Sequence, residues 1–139
     1  MNYTRLKETL IRHEGKRQFA YVDTVGKLTI GIGRNLTDKG VTADEMVHMM
    51  NTNIRESELE LRNEFPWFEQ LGDVRQEVIL NMCYNMGMPK LLGFKKMIKA
   101  LEEFDYHEAS KQMIKSKWYR QVKTRGAELA KVMRDGKWE

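Results

Sequence analysis

Glu14, Asp23 and Thr29 fall within one short stretch, HEGKRQFAYVDTVGKLTIGIG, with eight residues between the two acids and five between Asp23 and Thr29. Two carboxyl groups in different environments are what glycosidic bond cleavage requires. One must keep its proton near neutral pH and donate it to the leaving oxygen, while the other stays ionised and directs a water or attacks the sugar. A hydroxyl nearby can help hold the water. Taken singly, each residue has a plainer reading. Glu14 reads as a solvated helix-end charge, Asp23 as a turn residue bonded to local backbone, and Thr29 as an ordinary strand residue.

The segments around these residues must position them. Leu6, Leu10 and Ile11 follow Thr4 at helical spacing, so residues 3–13 read as a helix with Glu14 at its C-terminal end and Gly15 as the stop. A carboxylate buried there would feel the negative end of the helix dipole, the direction a general acid needs. FAYVD and LTIGIG flank a Gly-containing turn and predict a β-hairpin. Gly31 and Gly33 would allow a close approach of backbone or ligand, or mark a bulge. Val41 and Thr42 open a long helix, with Thr42 and Glu45 as a capping box and Met46, Met50 and Ile54 repeating towards Leu61. Pro66 ends that region. Asp73 with Gln76 signals another N-cap before VRQEVILNMCYNMG, which reads as a central buried helix. Further helices fit residues 94–102, 106–115 and 124–134, the last capped by Thr124 and closed by Gly136.

The expected fold is α+β and mainly helical, a single domain over residues 1–139. A small helix-and-hairpin lobe at about 13–45 is joined by a helix at about 42–63 to a helical lobe of 64–139 plus helix 3–13. A cleft between the lobes would receive Glu14 and Asp23.

Composition narrows the function classes. At 139 residues and 41% apolar, the chain supports one ordinary core. Its formal charge of +4 suits an acidic polymer without selecting one, and equally fits a merely soluble protein. Cys83 is the only cysteine, so no internal disulfide forms and packing must hold the fold, as in a reducing cytosol. No apolar run approaches the ~20 residues that span a bilayer, and the charged N-terminus has no signal-peptide core. His13, His48 and His107 lie far apart, so no metal is expected. No GxSxG or Walker loop is present, and GIG has too few glycines for a dinucleotide. The ten methionines at helical spacing read as core filler, and at least two of Trp67, Trp118 and Trp138 as core anchors.

The order Glu, eight residues, Asp, five residues, Thr, followed by IGIG, resembles the catalytic signature of the phage-type lysozymes, the endolysin family of the T-even phages. NMCYNMG is similar to that family's central buried helix, and KSKWYRQ, TRGAE and GKW to its C-terminal segments, so the resemblance runs from Tyr3 to Trp138. It implies a lysozyme-like fold and a bacteriolytic muramidase that cleaves peptidoglycan between N-acetylmuramic acid and N-acetylglucosamine, with inversion and no cofactor. Glu14 would be the general acid. Asp23 would stabilise positive charge on the sugar and, with Thr29, position the water. Arg125 would support Glu14, and Asn35, Tyr84, Met97 and Gln112 match substrate-cleft positions. The chain departs from the pattern in three places. Arg34 stands where many relatives have histidine, so an ion pair there would stay charged through pH 6–7. RNLTDKGV is shorter than in the T-even branch, and Met97 replaces a small polar residue.

The resemblance also implies a monomer that accumulates in the host cytoplasm and meets the wall through a holin lesion, without membrane insertion. Three other functions fit parts of the sequence. A lytic transglycosylase needs only one acid, and Asp23 and Thr29 weigh against it. A non-catalytic wall-binding module would not need the intact trio. A nucleic-acid-binding domain would need a clustered basic face, and Lys and Arg are scattered through every segment.

Overall fold

The computed structural model describes all residues, Met1–Glu139. The chain divides into two compact units, Met1–Met49 and Met50–Glu139.

In the first unit, α1 (Tyr3–Glu14) starts where expected and runs one residue further; Asn2 caps it, its side chain accepting from the Arg5 N–H. Gly15 ends it at φ 78°, a left-handed backbone that favours glycine. The expected hairpin follows as β1 (Arg17–Val22) and β2 (Leu28–Gly31), with Tyr21 opposite Thr29. A short β3 (Arg34–Asn35) adds to β2, giving an antiparallel sheet in the order β1-β2-β3. Asn35 then caps a one-turn helix, α2 (Leu36–Lys39). Neither β3 nor α2 is evident from periodicity, because each is too short to display one.

The long helix α3 (Ala43–Glu64) begins in the first unit and continues into the second. Its capping box forms as read: the Thr42 N–H donates to Glu45 Oε1 at 2.8 Å, and the Glu45 N–H to Thr42 Oγ1 at 3.2 Å. The expected apolar stripe is not continuous. Met46, Met50 and Ile54 are exposed, and burial begins only at Ser57 and Leu61, where the helix reaches the second unit's core.

The second unit holds that core. After a 3-10 turn at Phe68–Leu71 come α4 (Asp73–Met86), α5 (Met88–Leu91), α6 (Lys95–Glu102), α7 (Tyr106–Lys115), α8 (Lys117–Val122) and α9 (Thr124–Asp135). Val78, Ile79, Met82 and Cys83 bury α4 among Leu91, Leu101, Met113, Leu129 and Met133. α7 packs on α6 and α9, and α4 on α9. Five of the ten methionines are buried here: Met82, Met88, Met97, Met113 and Met133. Trp118 is buried and Trp67 stacks on Phe65, whereas Trp138 is exposed and donates to Glu77.

Two caps differ from expectation. Asp73 is the first residue inside α4 rather than its cap, because Gly72 at φ 78° enters the helix; Gln76 instead donates to the Phe68 and Glu69 carbonyls. Thr124 likewise lies inside α9, which is entered through Lys123 at φ 50° with no side-chain cap, while Gly136 closes it in the left-handed conformation.

Candidate active site

The three residues singled out by their spacing all lie in the first unit. Glu14 is the last residue of α1, and the Gly15 N–H bonds back to the Ile11 carbonyl at 2.8 Å, which fixes where the helix lets go of the chain. The Glu14 side chain then lies against the backbone of Gly33, in the turn between β2 and β3. A Cβ built on Gly33 would fall 2.5 Å from Glu14 Oε2 and 2.8 Å from its Cδ. Only a glycine leaves room for the carboxylate in that position. Gly33, at φ 71°, therefore meets two demands at once, a left-handed turn and a close approach. Glu14 is exposed, as its reading as a solvated helix-end charge has it, so the burial that would raise a carboxyl there is not found.

Asp23 closes the β1–β2 turn. Its Oδ1 accepts the Val25 N–H at 2.9 Å and the Lys27 N–H at 2.8 Å, while the Asp23 N–H reaches the Lys27 carbonyl at 2.9 Å. These bonds hold the carboxylate by one oxygen and leave Oδ2 without a protein partner. The structural reading of Asp23 is thus correct and does not exhaust the residue. Thr29 is the only buried residue of the first unit, at 4% exposure. Its hydroxyl donates to the Lys27 carbonyl at 3.0 Å, so the oxygen's lone pairs remain free to accept. One turn, residues 23–27, therefore anchors both Asp23 and Thr29.

Beyond the Gly33 turn, Arg34 donates through Nη1 to Glu45 Oε1 at 2.6 Å and to the Gly40 carbonyl at 3.2 Å. Arg34 does make an ion pair, and its partner is the capping residue of α3. The Arg34 guanidinium, helped by the Thr42 N–H, lowers the Glu45 carboxyl to about 2, and the carboxylate in turn raises Arg34. With arginine in place of histidine, the pair titrates only in acid. It borders a cavity of about 930 Å³ lined by residues of the first unit, among them Ile30, Ile32, Asn35 and Met49.

The other candidate residues have definite places. Asn35 spends its side chain on α2, accepting from the Asp38 N–H and donating to Asp38 Oδ2. Tyr84 is exposed on α4. Met97 is 1% exposed, a core residue that borders a cavity of the second unit. Gln112, half-buried on α7, donates to Glu108 and lines the same cavity. Arg125 donates to Asn81 Oδ1 through Nε (3.0 Å) and Nη2 (2.7 Å), and through Nη2 to the Asn81 carbonyl (3.2 Å). Asn81 was not singled out by sequence reasoning, although its place in NMCYNMG put it in view. No cluster of three or more His, Cys, Asp or Glu is placed to hold a metal ion.

Residues 11–135 match the Phage lysozyme family. The chain belongs to that family. As a phage lysozyme it is a glycosidase, and the α+β fold with a small antiparallel sheet and a helical C-terminal part agrees with the lysozyme-like architecture read from its motifs. Among similar proteins, Probable T4-type lysozyme 1 and Probable T4-type lysozyme 2 of Dictyostelium discoideum are 24% and 28% identical, with 94% of each chain covered in both cases. The Pre-baseplate central spike protein Gp5 of Enterobacteria phage T4 is 25% identical over 96% of this chain, which spans 28% of that longer protein. The family match includes Glu14, Asp23 and Thr29 within its bounds. No helix of this phage lysozyme is long and apolar enough to cross a membrane.

Proposed function

We propose that this phage lysozyme is an inverting N-acetylmuramidase that hydrolyses the β-1,4 bond between N-acetylmuramic acid and N-acetylglucosamine in peptidoglycan, and thereby lyses bacteria. The observation that carries this reading is the division of labour in the first unit. One carboxylate, Glu14, lies against the Gly33 backbone, while a separate turn presents Asp23 Oδ2 and the Thr29 lone pairs unbonded. Glu14 would give its proton to the glycosidic oxygen as the bond to the muramic C1 breaks. A water held by Asp23 and Thr29 would attack C1 from the opposite face, its proton passing to Asp23, whose negative charge also steadies the oxocarbenium-like sugar. Inversion follows because a single displacement leaves no covalent intermediate.

The family resemblance gives Arg125 the role of supporting Glu14; the contact its guanidinium makes is with Asn81. Tyr84 and Gln112 are the substrate contacts proposed first; Asn35 and Met97 match cleft positions, but the Asn35 amide is bonded to Asp38 and Met97 offers no polar group. We place the protein as a monomer in the host cytoplasm until a holin lesion admits it to the wall.

The test pairs wild type with Glu14→Gln at matched folded concentration on outer-membrane-permeabilised Gram-negative cells. Clearing should fall by about 10³-fold or more in the variant. Equal clearing by both proteins would remove Glu14 from the acid role. Product analysis separates the chemistry. Hydrolysis adds one water and inversion yields the α-anomer first, whereas an anhydro sugar would establish a transglycosylase instead.

A further inference from the structure

We propose that the one-turn helix α2 is a positioning element for the Asp23–Thr29 pair, its Thr37 and Asp38 side chains clamping the Lys27–Leu28 segment to which both groups are tied. This positioning role rests on the water-holding reading above and supplies what keeps that pair in place.

Asp23 and Thr29 share one point of attachment, the backbone of Lys27. The Lys27 N–H donates to Asp23 Oδ1 at 2.8 Å, and the Lys27 carbonyl accepts the Asp23 N–H at 2.9 Å and the Thr29 hydroxyl at 3.0 Å. A shift of this one peptide therefore displaces the carboxylate and the hydroxyl together. The tip of the turn offers it no packing. Residues 24–26 are exposed, and nothing lies within 4 Å of a Cβ placed on Gly26. Strand β3 stops short as well. It pairs Arg34 with Ile30 and Asn35 with Thr29, one residue before Leu28.

Two bonds from α2 reach the segment that β3 leaves uncovered. Thr37 Oγ1 accepts the Leu28 N–H at 2.8 Å, just past the end of the β2–β3 pairing. Beside it, Lys27 Nζ donates to Asp38 Oδ1 at 3.2 Å. Asp38 is itself held, since its N–H donates to Asn35 Oδ1 at 2.9 Å and its Oδ2 accepts from Asn35 Nδ2 at 3.0 Å. Asn35 in turn pairs with Thr29 across the sheet. The bonds thus close a loop that begins and ends at the water-holding residues.

Folding alone gives little reason for the arrangement. Thr37 is exposed, and the Lys27 and Asp38 side chains retain 38% and 53% of their accessible surface, so their ion pair adds little to stability. Geometry is the more sensitive quantity. A displacement of about 1 Å in a reacting constellation is worth ~10²-fold in rate, so bonds that hardly affect folding can still govern turnover.

Turnover is measured on a soluble oligosaccharide of alternating N-acetylglucosamine and N-acetylmuramic acid, at matched folded concentration. Thr37→Val keeps the shape of the side chain and removes the acceptor; it should lower kcat about tenfold and change KM less than about twofold. Thr37→Ser restores the oxygen and should return kcat to within about twofold of wild type. Lys27→Met removes only the ammonium and should lower kcat about threefold, which carries the test if Thr37→Val does not fold. Lys39→Gln, on the same turn, should leave kcat unchanged. A loss confined to KM, or one that serine does not restore, would overturn the clamp. Thr29→Ala, assayed in parallel, separates the clamp from the reading beneath it. Full activity in Thr37→Val beside a disabled Thr29→Ala would overturn the clamp alone, whereas full activity in both would overturn the water-holding reading with it. Amide spectra of Thr37→Val in the Glu14→Gln background give a readout free of catalysis. Shifts should concentrate at residues 23–29, and their absence there would overturn the clamp whatever kcat does.

Discussion

Adding one methyl group at position 33 should cut activity about a hundredfold, and the structure supplies both the reason and the control. The new Cβ of Gly33→Ala would lie 2.5 Å from Glu14 Oε2, 2.8 Å from Cδ and 3.0 Å from Cγ. Non-bonded carbon atoms sit comfortably at about 3.5–4.0 Å, so the carboxyl must retreat by roughly 1 Å. The retreat costs little in stability, because the displaced atoms are the free end of a flexible side chain. It moves the proposed acid, however, and a misplacement of about 1 Å is worth ~10²-fold, or about 2.7 kcal/mol in the barrier. Alanine also pays for a left-handed backbone at φ 71°, about 1–2 kcal/mol.

Gly31→Ala isolates the steric effect. Gly31 has nearly the same φ, 68°, but nothing lies within 4 Å of its added Cβ. Both variants should therefore lose similar stability in a denaturant titration, and only Gly33→Ala should lose the hundredfold in clearing rate. Comparable activity losses in the two variants would show that backbone strain, not displacement of Glu14, controls the rate. Full activity in Gly33→Ala would show that the position of Glu14 against the turn does not matter for catalysis.

The remaining predictions concern charge and packing. Glu45, held at about 2 by Arg34, contributes stability that is present above the ordinary carboxyl range near 4.5 and is lost as pH falls through about 2. A carboxyl-detected NMR titration should place its midpoint near 2 and move it upward in Arg34→Gln; an ordinary midpoint in wild type would refute the pairing. Arg75 donates to the Met133 carbonyl at 2.7 Å and the Arg134 carbonyl at 3.2 Å, and lies 3.6 Å above the Tyr106 ring. Arg75→Ala strips the end of α9 of those partners and should cost the second unit about 2 kcal/mol in chemical denaturation.

The parts of the fold legible from sequence are those long enough to show a period. α3, α4, α6, α7 and α9 each declare themselves by apolar spacing, and the hairpin by its turn residues. β3, α2, α5 and α8 run for two to six residues, too few to repeat, and arise from what the neighbouring elements leave possible. The misread caps share one cause: Gly72 and Lys123 enter their helices at positive φ, a backbone choice that a search for capping side chains overlooks. At the site, Glu14, Asp23 and Thr29 stand out because their order and spacing form one local signature. Glu45 was legible as a cap but not as the partner of Arg34.

The division between units carries a further consequence for how this sequence encodes activity. In the first unit only Thr29 is buried, and none of the apolar side chains there joins a core. The proposed acid, the water-holding pair and the glycine turn are consequently fixed by short-range bonds: Gly15 to Ile11, Asp23 to Val25 and Lys27, and Thr29 to Lys27. Such bonds each contribute on the order of 1 kcal/mol, whereas truncating a core residue of the second unit such as Met82 or Leu101 costs about 2–5 kcal/mol. Residue identity at the site is therefore constrained by geometry far more than by stability. The order Glu14–Asp23–Thr29 is compact enough to be matched to a family signature in sequence for that reason, whereas the proposed support from Arg125 comes from far along the chain and is given by the resemblance alone.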